Sequence, residues 1–135
     1  MTRTPRERIR ILVADDDPIV LHFTARILNR LGYEVMTVPD GVQALQVFER
    51  EPRFQLVISD AMMPGLPGPQ LLRTISHLSP STATLLISGS QEILAGADTP
   101  ALAKPFRAEA LAAKVNGLLN PGRLKVSPEP VRQDT

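Results

Sequence analysis

The residues able to do chemistry stand at the ends of apolar runs. "IRILVA" (Ile9–Ala14) ends in Asp15, Asp16 and Asp17, and "FQLVIS" (Phe54–Ser59) ends in Asp60. "ATLLIS" (Ala83–Ser88) ends in a hydroxyl followed by Gly89, and "ALAK" (Ala101–Lys104) ends in an ammonium before Pro105. Brought together, these groups form a patch of carboxylates, one hydroxyl and one ammonium. Close carboxylates repel one another unless a cation neutralises them. Hard oxygen donors without nitrogen or sulfur suit Mg2+ (or Mn2+), which keeps several waters. A carboxylate beside such a cation can attack phosphorus and form an aspartyl phosphate. That transfer depends mainly on positioning and charge neutralisation. Lys104 would neutralise one phosphoryl oxygen, and Ser88 would donate a hydrogen bond to another.

Taken singly, each motif has an ordinary reading. Three aspartates before a helix form a capping cluster. An acid before "MMPGLPG" is turn chemistry. A lone Ser-Gly or Lys-Pro says nothing. The joint reading holds only if the fold carries all four strand ends to one edge.

The pattern of elements supports that edge. Asp17 suits an N-cap and Pro18 a first helical turn. Val20, Phe23, Ile27 and Leu31 recur at helical spacing, facing inward, and Gly32 stops the helix. "YEVMTV" (Tyr33–Val38) alternates like a strand near a sheet edge. Asp40 caps a helix with Ala44, Leu45, Val47 and Phe48 inward, ended by Pro52. After the Pro/Gly loop, a helix turns Leu71, Leu72, Ile75 and Leu78 inward. Only a short helix, around Gln91–Ala95, fits before Ala101. Phe106–Leu119 forms the last helix, with Leu111, Val115, Leu118 and Leu119 inward. Nearly continuous apolar strands alternating with helices specify parallel pairing and crossover helices. The expected fold is α/β, a doubly wound five-stranded parallel sheet with helices on both faces, flavodoxin-like, its fourth helix short or missing. Ligands of such sheets bind beyond the carboxyl ends of the strands.

The 135 residues suffice for one core, and 43% of them are hydrophobic. The expected division is a lead-in at 1–8, a domain at 9–119 and a Pro-rich flexible tail at 120–135. Arg3, Arg6, Arg8 and Arg10 read as a solvated lead-in, and His22 and His77 as surface residues. Lys and Arg total 15 against 14 acids, so no strong field steers the chain to nucleic acid or an anionic membrane. With no cysteine, disulfides and thiolate chemistry are excluded. No apolar run approaches the ~20 residues of a membrane span. The N-terminus lacks the apolar core of a signal peptide, so a cytoplasmic location is expected.

"ILVADDDP", "LVISDAMMPGLPG", "LLISGS" and "AKPF" occur in the order that resembles the receiver domain of bacterial response regulators. The resemblance implies that Asp60 is the phosphoacceptor. It implies that Asp16 binds Mg2+ directly, with Asp15 assisting, while Asp60 and the Met62 backbone carbonyl complete the shell. Asp17 falls outside that acidic pair and caps the helix. Ser88 and Lys104 are implied as the groups that meet the phosphoryl oxygens, with a cis bond before Pro105. A histidine kinase or histidine phosphotransfer protein would supply the phosphoryl group. Output would pass through contact with a downstream protein, from a monomer or transient homodimer. Catalysis would be limited to self-phosphorylation and self-dephosphorylation, with no nucleic-acid or membrane partner.

Two departures stand out. The segment between Ser88 and Lys104 is short, and Ala101 replaces the Tyr or Phe expected three residues before the lysine. They motivate a second reading, an interaction module whose output ignores phosphorylation. A third reading is a haloacid-dehalogenase-like phosphatase. That family needs a second acid two residues after the nucleophile, where Met62 has no proton to exchange.

Overall fold

A computed structural model of the chain describes residues 8–51 and 53–120. Its elements are β1 (Arg10–Ala14), α1 (Pro18–Arg30), β2 (Glu34–Val38), α2 (Gly41–Arg50), β3 (Leu56–Asp60), α3 (Gly68–Leu78), β4 (Ala83–Ser88), α4 (Gln91–Gly96), β5 (Ala101–Ala103) and α5 (Ala108–Leu119). All four strand pairings are parallel, in the order β2-β1-β3-β4-β5. The expected architecture is present, down to a fourth helix of six residues. Pro52, the lead-in before Arg8 and the tail after Asn120 lie outside the described residues.

Side-chain alternation along the strands splits the core into two layers. Leu12, Ala14, Val57 and Leu86 face α2 and α3, against Ala44, Val47, Phe48, Leu71, Leu72 and Ile75. Ile11, Val13, Ile58, Leu85 and Ile87 face α1 and α5, against Leu28, Leu111 and Val115. The central strand β3 is buried along its whole length, as a parallel strand covered on both faces must be. Between two packed layers it has little freedom to shift Asp60 at its end.

Asp17 caps α1, its carboxylate accepting from the Ile19 N–H at 2.9 Å. Asp40 caps α2 through the Gln43 N–H at 2.8 Å. Gly32 follows α1 with φ 97°, a conformation that side chains oppose.

Three side-chain expectations need correction. The buried residues of α1 are Thr24 and Leu28, whereas Phe23 and Leu31 are exposed. The sheet takes the stripe through Leu21, Thr24 and Leu28. Val20, Phe23 and Ile27 sit about 100° around the helix. From there Phe23 meets Phe106, their ring centroids 5.8 Å apart. Leu78, the last residue of α3, is also exposed. Arg10 is not a solvated lead-in. It opens β1, pairs with Glu34 at 3.2 Å and Glu51 at 2.9 Å, and lies over the Phe54 ring at 4.5 Å. Among the described residues, no helix is long and apolar enough to cross a membrane.

Candidate functional site

Parallel pairing puts the carboxyl ends of β1, β3, β4 and β5 along one edge. In register, Ala14 lies opposite Ser59, Asp60 opposite Ile87, and Ser88 opposite Ala103. Asp15, Asp60, Ser88 and Lys104 therefore emerge side by side.

Three of these groups and Asp16 form one cluster. Asp15, Asp16 and Asp60 each offer a carboxylate oxygen, all within 4.8 Å of one another. The Lys104 ammonium bridges two of them, at 2.8 Å from Asp60 Oδ1 and 3.2 Å from Asp15 Oδ2. Asp15 and Asp60 are buried, and Asp16 faces solvent. Burial pushes the Asp15 carboxyl above the usual carboxylate range and the Asp60 charge adds to this, against the Asp17 N–H and Lys104. Burial pulls Lys104 down, but its hydrogen bonds and charge contacts with Asp60 and Asp15 outweigh that. The ammonium is held above its ordinary value.

Ser88 reaches the edge but is turned aside. Its Oγ accepts the Ser90 N–H at 3.0 Å, and among the described residues it bonds neither Asp60 nor Lys104. The Met62 side chain is 69% exposed, and its carbonyl accepts no backbone hydrogen bond among the described residues. Asp17 stands apart as the α1 cap, with its N–H donating to Asp15 Oδ1 at 2.9 Å. His22 and His77 lie on exposed helix positions. The Lys104–Pro105 bond is cis.

Residues 11–116 match the family profile described as the response regulator receiver domain. The chain belongs to that family. Response regulator receiver protein CpdR of Brucella abortus (strain 2308) is 29% identical over 116 residues, covering 82% of this chain and 96% of CpdR. Response regulator MprA of Mycobacterium leprae (strain TN) is 35% identical over 117 residues, covering 82% of this chain and 51% of MprA. The chain thus spans about half the length of that regulator. The crystal structure of the receiver domain from the hybrid histidine kinase CckA superposes with a TM-score of 0.72 at 34% identity. That match covers 82% of this chain and 98% of the other. This chain is a receiver domain of the two-component type.

Two supports of this cluster were missed in the sequence. Ser59, fully buried, donates its hydroxyl to the Asp60 carbonyl at 2.8 Å. Gly68 donates its N–H to the Ala61 carbonyl at 3.0 Å and closes the loop after Asp60. A Cβ on Gly68 would overlap the Asp60 carbonyl oxygen and lie 2.9 Å from Ala61 Cα. A serine in an otherwise apolar buried strand was the available signal for Ser59. The close approach of Gly68 had none beyond its place in a Pro/Gly loop.

Gly68→Ala is expected to lower stability by about 1–3 kcal/mol, since backbone must move to admit the methyl. The movement passes straight into Asp60, so phosphorylation should slow as well. Urea unfolding beside a phosphorylation time course checks both. A fully stable variant would show that the loop yields without strain.

Proposed function

We propose that residues 9–119 form a phosphoacceptor unit in which Asp60 takes a phosphoryl group from phosphohistidine on a histidine kinase or phosphotransfer protein. The observation that carries this reading is the Lys104 ammonium bridging Asp60 and Asp15 beside a third carboxylate. The donor set is all oxygen, and two of its three acids are buried, so the residues present fit Mg2+ or Mn2+. Asp15, Asp16, Asp60 and the Met62 carbonyl would hold the ion. When bound, it would neutralise the carboxylates and polarise the incoming phosphoryl group.

In the transfer, an Asp60 carboxylate oxygen forms the new bond to phosphorus. The bond from phosphorus to the donor histidine nitrogen breaks, and its electron pair stays on the imidazole. Lys104 stays protonated and passes from the Asp60 carboxylate to a phosphoryl oxygen. Ser88 turns its hydroxyl to another phosphoryl oxygen. Met62 offers no group to activate water, so this side chain does not speed hydrolysis of the adduct.

A protein donor needs a surface beside the reacting carboxylate. Val20, Phe23, Lys104, Pro105 and Phe106 line a pocket of about 370 Å³ there, and Ile19 stands 79% exposed on the same helix. Such exposed apolar groups fit a partner's helix face.

Incubation with acetyl phosphate and Mg2+ tests the reading. A mass gain of one phosphoryl group is expected on the peptide that carries Asp60, lost when EDTA is added beforehand. No gain, or a gain on another residue, would overturn it. The six-residue α4 and Ala101 favour a second reading, a receiver fold whose contacts ignore phosphorylation. That reading requires partner binding to be the same with and without phosphorylation.

A further inference from the structure

We propose that residues 121–135, which follow α5, dock in a groove between α3 and the segment leading into β5 of the same molecule. The groove has a volume of about 440 Å³. Leu72, Arg73 and His77 of α3 line one side, and Asp98 and Pro100 line the other. Thr84 of β4 lines it from the sheet, its hydroxyl paired with that of Thr99 at 2.7 Å. The short α4 ends at Gly96 and supplies no residue to the lining. The two sides of the groove are therefore open to another segment. This docking does not depend on Asp60 being a phosphoacceptor.

The chain leaves α5 within reach. Both α3 and α5 follow a parallel strand and run back toward the strand starts. His77, near the end of α3, and Leu118 and Leu119, at the end of α5, therefore lie toward the same end of the sheet. Leu118 and Leu119 pack in the layer that holds Ala83, the first residue of β4. Thr84, the next residue, faces the opposite layer and lines the groove. Crossing from one layer to the other spans roughly 20 Å, two layer spacings of about 10 Å. Residues 121–127 alone reach about 23 Å when extended.

Charge selects the segment that follows. Arg73 and Asp98 face each other at 3.9 Å, and both are exposed. So loose a surface pair contributes little, and each member can take another partner. Glu129 and Arg132 supply the two opposite charges. Pro128 and Pro130 favour an extended backbone around Glu129. With three residues per turn, a polyproline II segment presents Glu129 and Arg132 on one side, about 9 Å apart. Glu129 then meets Arg73, and Arg132 meets Asp98, their long side chains closing the difference in spacing. The prolines reduce the entropy lost on docking. Tethering to α5 raises the local concentration of the segment, so weak contacts suffice.

The chain has no cysteine, so Gln133→Cys in the whole chain accepts a single nitroxide spin label. With the label oxidised, the Arg73, Thr84 and Thr99 amide signals should lose intensity at least about twofold relative to the reduced label. The Arg26 and Asn29 signals of α1, on the other side of the sheet, should keep theirs. Adding Arg73→Glu should restore the groove signals, and adding Glu129→Arg to that variant should weaken them again. No loss in the groove, or equal loss at Arg26 and Asn29, would overturn the docking. A 15N-labelled chain without nitroxide, mixed with spin-labelled chain, separates the remaining occupant. Loss of its groove signals would give the groove to a second copy and overturn docking within one molecule. Asp60 phosphorylation is read separately by mass, so failure here leaves the phosphoacceptor reading standing.

Discussion

Asp60→Asn is expected to take no phosphoryl group from acetyl phosphate at any Mg2+ concentration, while remaining folded. The amide is no nucleophile toward phosphorus, and the neighbouring acids are already committed. Asp15 receives the Asp17 N–H and the Lys104 ammonium, and Asp16 is solvent-exposed beside them. Asn preserves the shape of the side chain and can still accept from Lys104. It also removes the Asp60 charge that helps to push the Asp15 carboxyl up. Stability should therefore stay within about 1 kcal/mol of the parent, because a lost attraction to a partly exposed lysine is offset by a lost repulsion. Mg2+ affinity should fall, since one of three carboxylates is gone. Intact mass and thermal unfolding measured on the same sample separate these effects. A persisting adduct in a folded Asp60→Asn protein would move the phosphoacceptor to another residue.

How far this site was legible follows from what each residue does. Asp15, Asp16, Asp60 and Lys104 were readable because each ends an apolar strand, and parallel order delivers strand ends to one edge. The same logic placed Ser88 but not its orientation, which depends on a backbone N–H two residues on. Helix faces were less legible. The α1 pattern allowed two adjacent stripes; the sheet buries the one through Thr24 and Leu28, and Phe23 instead meets Phe106 in the segment leading into α5. Arg10 looked like part of a charged N-terminus. Its role came from Glu34, Glu51 and Phe54, whose convergence is a property of the sheet and not of any local window. Ser59 and Gly68 act at the Asp60 backbone, where only three-dimensional closeness reveals them.

Replacing Lys104 by Ala should leave Mg2+ binding in place and cut the phosphorylation rate by about 10²–10³, the usual cost of losing one aimed donor at the reacting oxygens. The two effects part because the lysine competes with the cation. At present the ammonium neutralises Asp60 and Asp15, so its removal leaves a more negative cluster and favours Mg2+ near neutral pH. The pH profile carries the more specific signature. Burial already holds the Asp15 carboxyl above its ordinary range, and Lys104 opposes that shift. Without the lysine the Asp15 carboxyl rises further, so proton and Mg2+ compete at higher pH. The acid limb of Mg2+ binding should therefore move to higher pH in Lys104→Ala, although affinity at neutral pH improves. Lys104 itself is held above its ordinary value, so it stays charged through neutral pH and adds no alkaline limb there. Titration of Mg2+ across pH in both proteins, beside acetyl phosphate kinetics, tests each sign. A rate loss with weakened neutral Mg2+ binding and an unmoved acid limb would mean that Lys104 only supports the fold around Asp60, and does not meet the phosphoryl group.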